Sequence, residues 1–275
     1  MAGTLYLVPT PIGNLGDISR RCAEVLGEVD LIAAEDTRVT LKLLSHLGLK
    51  KPLVSYYRHN TVEAGEKLLE RLLAGEDVAL VTDAGTPAVS DPGEDLVALC
   101  ARHGVTVSAL PGPCALTTAL SVSGLPTARF TFEGFLPMNK KNRRTQLESL
   151  KNETRTMIFY EAPHKLRNTL ADLLETFGGD RRISLCRELT KLHEEVIRTT
   201  LAGAVELHRE KEPRGEYVLV VEGACLQKEE ATMEDGLERV KELMGEGLSR
   251  KDAVKQAAGE LGLSRNELYS AALEQ

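Results

Sequence analysis

Val78-Ala79-Leu80-Val81 is apolar throughout and is followed at once by Thr82-Asp83-Ala84-Gly85-Thr86-Pro87. A short apolar run without polar alternation reads as a strand buried on both faces, the pattern of parallel strands covered by helices. Asp91-Pro92-Gly93-Glu94 then carries a helix-start signature: an acidic N-cap, proline at the first position and Glu three residues after the cap. A polar, glycine-containing loop therefore sits at the carboxyl end of a buried strand, where open α/β sheets hold their ligands.

The same unit recurs along the first part of the chain. Residues 5–8, 31–34, 53–57, 78–81 and 105–110 read as strands. Helices are expected over 18–26 (capped by Asp17), through Leu43, Leu44 and Leu47 to a stop at Gly48, and over 62–73 and 94–102. Strand and helix alternate every ~20–30 residues, as in a wound parallel sheet. The character changes at Pro111-Gly112-Pro113. Beyond it, strands 130–133, 156–160, 183–186, 195–199 and 217–222 mix with helices at 115–122, through Leu150, and at 163–177 and 202–209. The last three strands have one helix among them, which points to a mixed sheet. After Gly223 come three short helices, 233–244, 250–260 and 265–273. The expected organisation is an α/β chain with a parallel-sheet domain at 1–112, a mixed-sheet domain at 113–226 and a helical tail at 230–275. Ala258-x-x-x-Gly262 before Ser264-Arg265-Asn266 has helix-turn-helix spacing; a capping three-helix subdomain is the plainer expectation.

Four polar loops fall at the carboxyl edges of successive strands: Pro9 to Gly16, Glu35 to Arg38, Asp83 to Pro87, and Pro111 to Cys114. Together they predict a pocket rim. No GxGxxG follows the first strand and no P-loop is present, so NAD, FAD and ATP are disfavoured. The residues alone leave a nucleoside or an amino-acid moiety open, held by loop backbone with Asp83 accepting hydrogen bonds.

The five cysteines are scattered without CxxC spacing, and the six histidines show no ligand spacing. No metal site is expected, and the reading is a reducing cytoplasm. No apolar run is long enough to span a membrane, and no leader is expected before the first strand. A net charge of −7 argues against diffuse nucleic-acid affinity. A local basic surface remains available in Lys140-Lys141-Asn142-Arg143-Arg144, just after Phe135-Leu136-Pro137.

Taken together, five motifs resemble the tetrapyrrole methylase superfamily. They are Thr10-Pro11-Ile12-Gly13-Asn14-Leu15-Gly16-Asp17, Ala34-Glu35-Asp36-Thr37-Arg38, Thr82 to Pro87 with Ser90-Asp91-Pro92-Gly93, Pro111-Gly112-Pro113, and Tyr160-Glu161-Ala162-Pro163-His164-Lys165. Within the superfamily they are similar to the branch that methylates the ribose 2′-oxygen of a cytidine in bacterial 16S ribosomal RNA, collinearly over about residues 4–223 and in the tail. The resemblance implies a class III methyltransferase fold, with S-adenosylmethionine in the cleft between two α/β domains. It implies cofactor contacts from Thr82, Asp83, Gly85, Thr86 and Pro87, from Pro11 on the floor, and from Cys114 and Ala115. Cys114 stands where relatives carry Thr or Ser. Tyr160 and Leu189 would close the pocket from the second domain. The implied partners are 16S rRNA in the small ribosomal subunit and a second copy of the chain.

A ribose hydroxyl is a weak nucleophile, so a base or charge stabiliser assists its methylation. Glu35, Asp36 and Glu161 are the candidate catalytic carboxylates; Arg38, Lys140, Lys141, Arg143, Arg144 and Lys165 are the candidate RNA contacts. Aromatics make up 4% of the chain and Trp is absent, which disfavours single-strand stacking and favours a structured RNA such as an assembled subunit. Two other readings stay open: a porphyrinoid methylase of the same fold, and a non-catalytic ribosome assembly factor.

Overall fold

The computed structural model describes residues 1–225 and 232–273. Residues 1–224 form one compact unit and the tail from 225 a second. The first unit begins with a five-stranded sheet built from β1 (Thr4–Leu7), β2 (Leu31–Ala34), β3 (Leu53–Ser55), β4 (Val78–Val81) and β5 (Thr106–Ala109), in the order β3-β2-β4-β1-β5. All its pairings are parallel. β4 is central, and all four of its residues are buried. That is the reason its sequence shows no alternation.

Helices cover both faces of this sheet. On one side α3 (Thr61–Leu73) and α4 (Glu94–Arg102) pack Leu68, Leu72, Leu96 and Cys100 against Leu5, Val78 and Leu80. On the other, α1 (Arg20–Glu28) and α2 (Thr37–His46) pack Cys22, Leu26 and Leu44 against Val8, Ile32 and Val81. Each fully buried Leu or Val contributes roughly 1.5–3 kcal/mol. Two expected caps move. Ser19, not Asp17, caps α1 through the Cys22 amide, because Asp17 is taken up in a short 3-10 helix, Leu15–Asp17. Likewise Asp91 does not cap α4; the N-cap is Gly93, at φ 145. A side chain at Gly93 would put its Cβ 2.8 Å from Leu80 Cδ2, so glycine is required on both counts.

α5 (Ala115–Val122) leads into a second sheet of β6 (Phe130–Phe135), β7 (Thr156–Glu161), β8 (Arg182–Arg187), β9 (Glu195–Thr200) and β10 (Tyr217–Val221), ordered β6-β7-β10-β8-β9. β6 and β7 are parallel; the other pairings are antiparallel, the mixed sheet expected. β6 runs two residues further than its pattern predicts, through a bulge between Phe132 and Gly134. Alternate residues split cleanly between faces. Tyr217, Leu219 and Val221 join the core under α6 (Lys140–Ser149), α7 (Pro163–Phe177) and α8 (Leu201–Glu210), while Val218 and Val220 face α5.

The tail unit contains α9 (Met233–Gly245), α10 (Arg250–Leu261) and α11 (Arg265–Leu273) around Val240, Leu243, Val254, Ala257 and Leu268. Residues 226–231 and 274–275 lie outside the described residues, and with them the last residue of the expected 113–226 domain and both ends of the expected 230–275 tail. No helix among the described residues is long and apolar enough to cross a membrane.

Candidate functional site

At the carboxyl edge of the parallel sheet, hydrogen bonds join the four loops. Thr10 and Gly85 exchange backbone bonds of 2.9 and 3.0 Å, and the Thr10 hydroxyl donates to the Thr82 carbonyl at 3.0 Å. Thr86 Oγ1 donates to the Pro113 carbonyl at 2.9 Å. Thr82 Oγ1 donates to Glu35 Oε2 at 2.7 Å, and the Asp36 amide donates to Asp83 Oδ1 at 3.1 Å.

These loops and the second sheet enclose a cavity of about 480 Å³, within the size range of small-molecule sites. From the parallel sheet come Ile12, Glu35, Thr82, Asp83, Gly85, Thr86 and Asp91, and Cys114 and Ala115 come from the start of α5, which packs on the mixed sheet. From the mixed sheet come Tyr160, Glu161, Glu188, Leu189, Lys191, Glu216 and Val218. The loops are strained. The four non-glycine residues with left-handed φ among the described residues are Ala88 and Ser90 in one loop, and Glu188 and Thr190 in the other. Such conformations cost roughly 1–2 kcal/mol each and concentrate at functional sites.

Three carboxylates, Glu35, Asp83 and Asp91, face the cavity from the first sheet. Burial, reinforced by Glu35 and Asp83, pushes Asp91 up to about 6; the Thr82 hydroxyl and Arg58 only partly offset this. Asp83 is raised for the same reasons, burial first and Glu35 second. The mixed sheet's polar groups are already partnered. Glu161 is 4% exposed and accepts from the Thr169 hydroxyl at 2.5 Å and the Ala162 amide at 2.8 Å. The Tyr160 hydroxyl accepts from the Leu116 amide at 3.0 Å, its ring packs edge-on to Phe132 and Phe135, and burial raises its pKa. Lys191 bridges Glu188 and Glu216 at 2.9 and 2.8 Å.

Of the residues singled out from sequence, Glu35, Thr82, Asp83, Gly85, Thr86, Cys114, Ala115, Tyr160, Glu161 and Leu189 line this cavity. Pro11 instead lines an adjoining cavity of about 240 Å³ that shares Thr82 and Asp83. Pro87 and Asp36 line neither. Asp36 is held down to about 2 by hydrogen bonds to Arg38, which suits a helix cap and not a proton acceptor. Arg38 is drawn into that pair. Arg143 and Lys165 meet at a third cavity of about 220 Å³ beside Glu161. Arg143 is turned inward there, in a buried pair with Asp172 at 2.6 Å. Arg144 pairs with Glu175, whereas Lys140 and Lys141 make no ion pair among the described residues. Sequence reasoning missed Asp91, whose Asp-Pro-Gly-Glu context reads as a cap, and Glu188, Lys191 and Glu216, which carry no local signal.

The cavity suits a nucleoside-sized ligand bearing positive charge: apolar walls at Ile12, Ala115, Leu189 and Val218, and three carboxylates on one side. The family model of tetrapyrrole (corrin/porphyrin) methylases matches residues 4–205, and a model described as the RsmI C-terminal HTH domain matches residues 230–275. The chain is 48% identical to the ribosomal RNA small subunit methyltransferase I of Synechocystis sp., over 99% of this chain and 98% of that protein. It is 47% identical to the protein of that name from Escherichia coli O157:H7, over 99% and 96%. Among solved structures, a cobalt precorrin-4 methyltransferase of cobalamin biosynthesis shares the fold at a TM-score of 0.59 and 17% identity, covering 80% of this chain and 94% of that one.

Proposed function

Since the chain belongs to the tetrapyrrole (corrin/porphyrin) methylase family and is a methyltransferase of the class III fold, we propose that it uses S-adenosylmethionine to methylate the ribose 2′-hydroxyl of a cytidine in 16S rRNA. We place the reaction on the small ribosomal subunit in the cytoplasm, and the enzyme as a homodimer. The observation that carries the cofactor assignment is the 480 Å³ cavity with its one-sided trio of carboxylates. The names of relatives matched over nearly their whole length support RNA as the acceptor.

S-adenosylmethionine, when bound, supplies a methyl group activated by a sulfonium. The chain supplies position and charge, which account for most of the rate in such transfers. Glu35, Asp83 and Asp91 give the cavity a negative field that favours a cationic ligand. The Asp83 to Thr86 loop, braced by Thr10 and Pro113, offers backbone groups in fixed positions. Cys114 cannot match the hydrogen bond of a Thr or Ser hydroxyl, so Cys114 and Ala115 act there by packing. Asp91 is the group best suited to take the proton of the attacking hydroxyl, because above a pH of about 6 it is anionic while still basic enough to accept one. Activity therefore rises with pH through that value.

Lys140 and Lys141 occupy the first turn of α6, where the helix dipole disfavours cations. Their exposure there supports contact with phosphate. The test is transfer of labelled methyl from S-adenosylmethionine to small subunits from a strain lacking this enzyme, with naked 16S rRNA and uroporphyrinogen in parallel. Label in RNA is expected. Transfer to uroporphyrinogen alone would support the porphyrinoid reading, and cofactor binding without any transfer would support the assembly factor.

A further inference from the structure

We infer that the cavity of about 240 Å³ beside the larger one holds the base of the acceptor nucleotide, where Asp83 accepts from the exocyclic amino group of cytosine. This deepens the RNA reading above and rests on it.

Position is the first support. Thr82 and Asp83 line both cavities and so form their shared wall. The Thr82 hydroxyl also acts on the Asp91 carboxyl, which lines the larger cavity. A nucleotide with its base in the smaller cavity would set its ribose at this wall, within reach of the group proposed to take the proton.

The walls suit a flat, largely apolar ring. Pro11, Leu15, Val39 and Leu43 line the cavity. Leu15 and Val39 remain 47% and 37% exposed, aliphatic surface that an inserted ring would take out of water. Proteins that read RNA by sequence splay a base out of the stack in this way and bond its edge.

The polar groups then select among rings. The hydroxyl protons of Thr10, Thr40 and Thr82 are committed, to the Thr82 carbonyl at 3.0 Å, the Asp36 carbonyl at 3.3 Å and Glu35 at 2.7 Å. Asp83 is the one carboxylate in the lining. Its Oδ1 accepts from the Asp36 amide at 3.1 Å, and its Oδ2 accepts from no group among the described residues. The neighbouring Asp36 is held by Arg38. The cavity therefore offers an open acceptor and no free hydroxyl donor. Cytosine presents an amino donor where uracil presents a carbonyl oxygen, so the carboxylate attracts the first and repels the second. Lys42, the one cation in the lining, is exposed and makes no ion pair among the described residues. It suits the phosphate of the same nucleotide, a contact that positions without reading sequence.

The test uses the full chain, S-adenosylmethionine, and small subunits from a strain lacking the enzyme, assembled with either cytidine or uridine at the acceptor position. The parent chain should methylate cytidine with a kcat/KM roughly tenfold to a hundredfold above uridine. Asp83→Asn should bring that ratio close to one, since an amide donates to a carbonyl as readily as it accepts from an amino group. Any loss of cofactor affinity in that variant acts on both substrates alike and cancels in the ratio. Val39→Phe fills the smaller cavity from a residue absent from the larger one. It should lower kcat/KM on cytidine subunits by about a hundredfold, as a misplaced acceptor would, with S-adenosylmethionine affinity and melting temperature unchanged. The same enlargement at the exposed Val62 of α3 should leave kcat/KM as it was. Lys42→Ala should lower the salt slope of RNA binding by roughly 1 without moving the cytidine-to-uridine ratio. A parent ratio near one, a ratio that Asp83→Asn leaves intact, or full activity in Val39→Phe overturns the base assignment and leaves the RNA reading standing. A parent chain that methylates neither kind of subunit overturns both.

Discussion

The parallel and mixed sheets line one cavity with opposite kinds of group. The parallel sheet contributes Glu35, Asp83 and Asp91, carboxylates that repel one another; Glu35 accepts from the Thr82 hydroxyl and Asp83 from the Asp36 amide, while burial and both neighbours raise Asp91. The mixed sheet contributes Glu161, Tyr160, Glu188 and Glu216, each already bonded within its own half. Chemistry needs groups whose protonation or partners can change, whereas walls need groups that are fixed. On this division we propose that the first sheet carries the reaction and the second shapes the site.

Asp91→Asn should test the division most sharply. It should lower kcat by about 10²–10⁴, the usual range for a lost general base, with cofactor affinity changed only a few-fold. An equal loss for Glu161→Gln would break the comparison. Next in size is Arg143→Ala. It leaves Asp172, 10% exposed, without its partner, and should destabilise the fold by about 3–5 kcal/mol in urea unfolding. Glu161→Gln should cost about 1–3 kcal/mol through the Thr169 and Ala162 bonds while leaving turnover per folded molecule nearly intact.

A smaller effect follows from pH. The Asp91 carboxyl is raised, so folding favours its neutral form. The stability this gives is complete below about pH 4 and is lost as pH rises through about 6. The displacement corresponds to roughly 3 kcal/mol, which solvent at this half-buried group screens to about 1 kcal/mol. Asp91→Asn should therefore be more stable than the parent at pH 8 by about that amount and equal to it near pH 4. Smallest of all, alanine at Lys140 and Lys141 should weaken RNA binding a few-fold and lower the salt slope by roughly 2, with no change in melting temperature.

What could be read in advance was local. Val78 to Val81 declared a central strand because burial on both faces removes alternation, and each polar loop follows its strand directly in the chain. The bulge in β6 and the true caps of α1 and α4 were not legible, because they depend on which neighbour claims a given side chain. Asp91 shows the limit. Its four-residue context is a good helix start, but it follows left-handed Ala88 and Ser90, the cap falls to Gly93, and its carboxyl feels Glu35, which is 56 positions earlier in the chain. Arg143 was legible as a cation and not as a buried one, since Asp172 lies 29 residues away on α7. Pro11 lies one cavity aside, next to Thr10, whose backbone is bridged to Gly85.

The central claim concerns the acceptor atom. Small subunits lacking the modification, incubated with the enzyme and S-adenosylmethionine, should yield 2′-O-methylcytidine when their 16S rRNA is digested to nucleosides and analysed by mass spectrometry. A methyl group on a base, or on the ribose of a different nucleoside, would contradict the account.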